Sequence, residues 1–226
     1  MKITLHILLL FIAIQPVTKD SRIQRFQDFL GKDRVMVIDQ AVLLLDSIVT
    51  EKYKSKNITK NYQRLLLDLK KHKIDWYEML DKQKMNRLDS LSRLSGLWQE
   101  LYLDSQNTYL DDNEIVSTFI YTPNDSLTDS LSIESRLLIP QWMGDSLQID
   151  SLIQAEKRKI EFNYRGKYIK ALEQIQENDS VIINYVEHKY IAGTIPHSTL
   201  AHGFLYVKAN LDDYFIKRIL AIELLL

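Results

Sequence analysis

The chain has no cysteine among its 226 residues. That excludes disulfide staples and lipid attachment at a cleavage-site cysteine, so stability must come from a packed core. Neither sign of charge is in surplus: 29 Lys and Arg stand against 30 Asp and Glu, a formal net charge of -1. A nucleic-acid binder needs a phosphate-neutralising excess of cations on at least one face. The local basic runs Lys70-Lys71-His72-Lys73 and Lys157-Arg158-Lys159 are flanked by acids and read as solvated helix faces, so no nucleic-acid partner is expected. Glycine (6) and proline (4) are few and scattered, which leaves no glycine-rich phosphate loop, and the G-x-S-x-G nucleophile elbow is missing as well.

Long apolar runs are also scarce. The longest, Ile3 to Ile14, is interrupted by Thr4 and His6 and is too short to cross a bilayer as a lone helix, which takes about 20 apolar residues. Its flanks suggest another role. Lys2 precedes it and the polar exit Gln15-Pro16-Val17-Thr18-Lys19-Asp20 follows, the layout of a secretory signal, although no A-x-A cleavage box is present. Residues 1–20 are therefore expected to form a signal peptide or, if uncleaved, an N-terminal anchor. The mature protein is expected to be secreted or periplasmic, with membrane contact only through an uncleaved leader.

What the chain does contain is helical periodicity. Val35, Ile38, Val42, Leu45 and Val49 recur at spacings of three and four, with Leu43, Leu44 and Ile48 widening the stripe. Asn57 is placed as the N-cap of a following helix whose buried stripe is Tyr62, Leu65, Leu66 and Leu69. Asp75 is expected to start a long third helix reaching Leu101. Gln148 to Gln176 reads as another long helix, with Gly166 a weak point. Asp179 caps a helix that Gly193 ends, and a short helix entered near Ser198 precedes a last one started by Asn210 and Asp213. Between Asp111 and Tyr121 the residues are β-branched or aromatic, yet a helix is favoured because no partner strand is evident nearby.

These readings predict an all-α fold: a bundle or orthogonal array of about seven to eight helices after the leader. Residues 21–226 are expected to form a single helical domain, or two lobes, 21–120 and 146–226, joined by 121–145. The joining region holds Pro123, Pro140 and Gly144 and, over 121–151, repeats Asp-Ser-Leu at Asp125, Asp129, Asp145 and Asp150. Leu127, Leu131, Leu137, Leu138, Ile139 and Trp142 carry too much apolar surface for a solvated tether, so part of it is expected to pack back onto the helices.

The Asp-Ser pair is over-used throughout: nine of the 16 serines follow Asp. Asp before an apolar run starts helices well, which suits Asp145, Asp150 or Asp179 but not Asp46 or Asp89. The same tripeptide is an acceptor pattern for O-glycosylation in some Gram-negative envelopes, which makes Ser126 and Ser130 candidate modification sites. His188, His197 and His202, with Glu187, form the only visible candidate metal cluster, but no pair of them has the i, i+4 spacing of helical zinc ligands. No catalytic, cofactor-binding or metal residue is assigned from the sequence, and no cofactor is expected. Two functional classes follow: an exported interaction or structural module with a protein partner in the cell envelope, or an envelope enzyme, such as a metal-assisted hydrolase, with its site near those histidines.

Overall fold

The computed structural model describes residues 19–121, 131–140 and 146–226. The elements, in order, are α1 (Lys19–Leu30), α2 (Lys32–Tyr53), α3 (Ile58–Lys70), a 3-10 turn (Tyr77–Met79), α4 (Lys82–Leu94), α5 (Leu97–Leu101), β1 (Tyr102–Asp111), β2 (Glu114–Tyr121), β3 (Leu131–Leu138), α6 (Ser146–Glu156), β4 (Ile160–Phe162), α7 (Lys167–Glu173), α8 (Ser180–Ala192), α9 (His197–Tyr206) and α10 (Tyr214–Leu225). The expectation of an all-α array of seven to eight helices is overturned. The described residues contain ten helices and a four-stranded antiparallel sheet in the order β3-β2-β1-β4.

The sheet explains why β2 was misread as a helix. Its β-branched run is paired on both sides, by β1 through Asp111↔Glu114 to Ser105↔Phe119 and by β3 through Glu114↔Leu138 to Tyr121↔Leu131. Asp111-Asp112-Asn113 is a hairpin turn, with Asp112 at φ 50°, and not a helix start. The helix expected over Gln148–Gln176 is three elements, α6, β4 and α7, and the one expected over Asp75–Leu101 is a 3-10 turn followed by α4 and α5. Gly96 at φ 74° separates α4 from α5, a left-handed geometry that costs glycine least.

Where local signals agree with packing, the expected elements appear. The side chains of Asn57, Asp179 and Asp213 accept backbone N–H groups at the starts of α3, α8 and α10, whereas α4 is capped by Asp81 and not by the expected Asp75. One apolar cluster draws on Phe26, Ile38, Leu66, Leu97, Tyr168 and Ile219, so segments that precede and follow the sheet in the chain both contribute to it. Ile115 and Phe119 are fully buried outside that cluster, on the face of β2 where α6 lies and Ser117 donates to Glu156 at 3.5 Å.

A polar joint holds β4 and α7 against α5. The buried Glu100 carboxylate accepts the Lys167 backbone N–H at 2.7 Å and pairs with Arg34 at 3.1 Å, while the Asn163 amide donates to the Gln99 carbonyl at 2.7 Å. Gly166 is required there. A Cβ on it would lie 1.9 Å from the Glu100 carbonyl oxygen.

Candidate functional site

Helices α8 and α9 enclose a groove of about 390 Å³. Its α8 wall is Val181, Asn184, Tyr185 and His188, which recur at helical spacing, and its α9 wall includes Leu200, His202, Gly203 and Tyr206. The lining is mainly apolar. Ile191, one further turn along the same face of α8, and Tyr206 are 85% and 81% exposed. Gly203 leaves open space where a side chain would stand, since a Cβ there meets nothing within 4 Å.

Tyr185 connects the groove to a buried polar network. Its hydroxyl donates to Glu223 on α10 at 2.6 Å, and Glu223 also accepts from the Lys189 ammonium at 3.0 Å. The ammonium sits 4.0 Å from the centre of the Phe162 ring, whose negative face stabilises a cation. Burial pushes the Lys189 pKa down, and Glu223 opposes that shift. Burial and then the Glu223 charge push the Tyr168 and Tyr185 hydroxyls well above the ordinary phenol value, so both remain protonated. Tyr102 is raised for the same two reasons. The buried Tyr168 hydroxyl makes no hydrogen bond of ordinary geometry to any described residue, although Tyr185 and Glu223 both act on it.

The candidate histidines divide between two places. His188 and His202 share the groove, whereas His197 lies beside Tyr77 at a ring distance of 5.6 Å, in a different depression bordered by Trp76 and His72. Burial lowers the His197 pKa, partly offset by a hydrogen bond with the Glu223 main chain. His188 Nδ1 is 2.7 Å from the Asn184 carbonyl oxygen, His202 stacks on Tyr206, and Glu187 is exposed. Among the described residues no three His, Asp or Glu side chains gather closely enough to hold a metal ion. Ser126 and Ser130 lie outside the described residues, as do residues 1–18 of the expected leader.

Among the Asp-Ser pairs, Asp179 starts a helix as expected, while Asp150 lies inside α6. Asp46 instead accepts the Tyr62 hydroxyl at 2.7 Å, and Asp89 pairs with Arg93 at 3.2 Å. The sequence reading missed Lys189 and Glu223. The available signal was a single charged residue on each of two otherwise apolar helix stripes, Ile182-Tyr185-Val186-Lys189 and Ile216-Ile219-Leu220-Glu223. No protein-family model matches the chain, and neither does any curated protein or solved structure. No helix among the described residues is long and apolar enough to cross a membrane.

Proposed function

We propose that this chain is a non-enzymatic protein of a secreted or envelope compartment that binds a protein partner through the α8–α9 groove. The occupant is an apolar face of a partner helix, anchored by one side chain above Gly203. The observation that carries this reading is the groove itself: a mainly apolar lining, an unfilled position at Gly203, and exposed Ile191 and Tyr206 beside it. Aromatic and aliphatic anchors at the centre of a concave patch supply most of the binding energy in such contacts. The network beneath the groove supports it from below, because Tyr185 is held by Glu223 and cannot turn freely.

The compartment rests on residues 1–20 alone. Cell fractionation, with the mass of the mature N-terminus, tests it, and the same intact mass reports any glycan on Ser126 or Ser130. For the groove, a photo-crosslinking residue is placed at Tyr206 and, as a control, at exposed Leu94 on α4 in the native host. The Tyr206 position is expected to capture a discrete protein that the Leu94 position does not, and Gly203→Trp is expected to abolish that capture with thermal stability retained. Identical capture at both positions, or capture unaffected by Gly203→Trp, refutes the reading.

The enzymatic alternative keeps one observation, the sharing of the groove by His188 and His202. Stoichiometric metal that disappears on changing both to Ala would favour it.

A further inference from the structure

β2 is the only described strand that pairs with β3, so among the described residues the outer edge of β3 is open. The Ile139 N–H donates to the Asn113 carbonyl at 2.8 Å, which continues the β2–β3 register by one step beyond Glu114↔Leu138. Peptide groups alternate in direction along a strand. The odd-numbered residues of β3 therefore turn their N–H and C=O toward β2, and Ser132, Glu134, Arg136 and Leu138 turn theirs outward. Natural edges are usually blunted by proline, bulges, very short strands or unmatched charge. β3 has eight residues, no proline and an unbroken register, and its two charges have opposite signs.

We propose that β3 pairs with β3 of a second copy of this chain, antiparallel across a two-fold axis, so that two four-stranded sheets join into one. The axis restricts the register. Outward groups bond only to outward groups, so the axis must pass through a residue and not between two, and the fullest overlap, over 131–137 or 132–138, leaves Glu134 or Ser135 at the centre. Centring on Glu134 sets two carboxylates opposite each other, which destabilises a sheet. Centring on Ser135 sets Glu134 against the partner's Arg136, and Arg136 against the partner's Glu134. On the other face it sets Ile133 against the partner's Leu137. Ser135 then faces its own copy at the close, non-hydrogen-bonded position, where a small side chain fits.

Both charges stay within reach of a partner strand. Arg136 and Glu134 are each about half exposed, at 47%, and the contacts Arg136 already makes, with Glu134 and Glu114 at 3.1 Å and Asp111 at 3.5 Å, are surface pairs of small worth. The interface is isologous, so closure stops at the dimer and the edge is consumed.

The cysteine-free chain allows a direct test of both association and register. Sedimentation equilibrium of the full chain is expected to give twice the chain mass. Glu134→Arg and Arg136→Glu are each expected to return monomer, because each sets like charges opposite. An equimolar mixture of the two is expected to restore the dimer. Single cysteines are then introduced as E134C, S135C and R136C, each checked for an unchanged urea midpoint. Since a disulfide needs Cβ atoms ~4 Å apart, S135C is expected to oxidise to a covalent dimer about tenfold faster than the other two. A wild-type protein that stays monomeric at every concentration overturns the proposal. So does a dimer indifferent to both charge reversals, and so does faster cross-linking at 134 or 136 than at 135.

Discussion

The ammonium of Lys189 on α8 stands 3.0 Å from the Glu223 carboxylate on α10, with both side chains almost entirely withdrawn from solvent, at 2% and 5% exposure. Burying two charges is tolerable only while each keeps its partner. Lys189→Met strands the Glu223 carboxylate and is expected to cost about 3–5 kcal/mol, whereas replacing both residues together, K189M/E223L, is expected to recover part of that loss, since the Tyr185 hydroxyl then loses its acceptor. Urea unfolding of the two variants and the parent measures it. Equal losses in the single and double variants would show that the two charges are not coupled.

Alkaline pH is expected to destabilise the protein. Burial raises the hydroxyl pKa values of Tyr62, Tyr102, Tyr168 and Tyr185 above the ordinary 10.0. Above that value the unfolded chain loses phenolic protons that the native state keeps, so this contribution is complete below pH ~10 and declines as pH rises, by up to ~1.4 kcal/mol per pH unit for each tyrosine. Lys189 acts in the opposite sense, because its lowered pKa makes stability rise between its folded value and the ordinary 10.5. Four tyrosines outweigh one lysine above pH ~10. Urea midpoints across that range should fall, and Tyr62→Phe should make the fall shallower by one proton's share.

Two glycines are expected to respond in opposite ways to the same change. Gly203→Ala adds a methyl group to open space inside α9 and should stabilise by about 0.5–1 kcal/mol through helix propensity. Gly166→Ala drives a Cβ into the Glu100 carbonyl, a backbone atom that cannot swing aside, and should cost about 3 kcal/mol or abolish folding. Thermal melts of both proteins decide it. A mild loss at Gly166 would mean that α5 and α7 can separate at little cost.

Asp179 serves two elements at once. Its carboxylate accepts the Val181 and Ile182 N–H groups at the start of α8 and pairs with Arg22 of α1 at 2.9 Å. Asp179→Ala is expected to cost about 1–2 kcal/mol. Asp179→Asn, which keeps the cap and discharges the pair, should cost less than half as much because the pair is partly exposed. Denaturant midpoints of the two variants separate the contributions.

The helices that could be read in advance are those whose beginning and buried face are both local. Asn57 with Tyr62, Leu65 and Leu66, and Asp179 with Ile182 and Val186, announce themselves within one or two turns, because a cap and a 3.6-residue period depend on neighbours in the chain. β1 and β3 did not. Several residues of β1, among them Gln106, Asn107, Tyr109 and Leu110, remain exposed, so no alternating apolar pattern marks it, and β3 lies in a segment that reads as a break between two helical halves. For the groove, the sequence supplied His188 and His202 as individual residues. The fold brought them together and sent His197 elsewhere.

Composition and periodicity by themselves determined that the chain has no disulfides, carries balanced charge and builds most of its mass from capped amphipathic helices. Tertiary structure decided that residues 102–121 form a β-hairpin, that Gly166 is indispensable, and that Lys189 finds Glu223 across 34 positions of chain. The division has one physical cause. A helix satisfies its backbone from within, whereas a strand, a close backbone approach and a buried charge are each stable only when a distant segment supplies the missing partner.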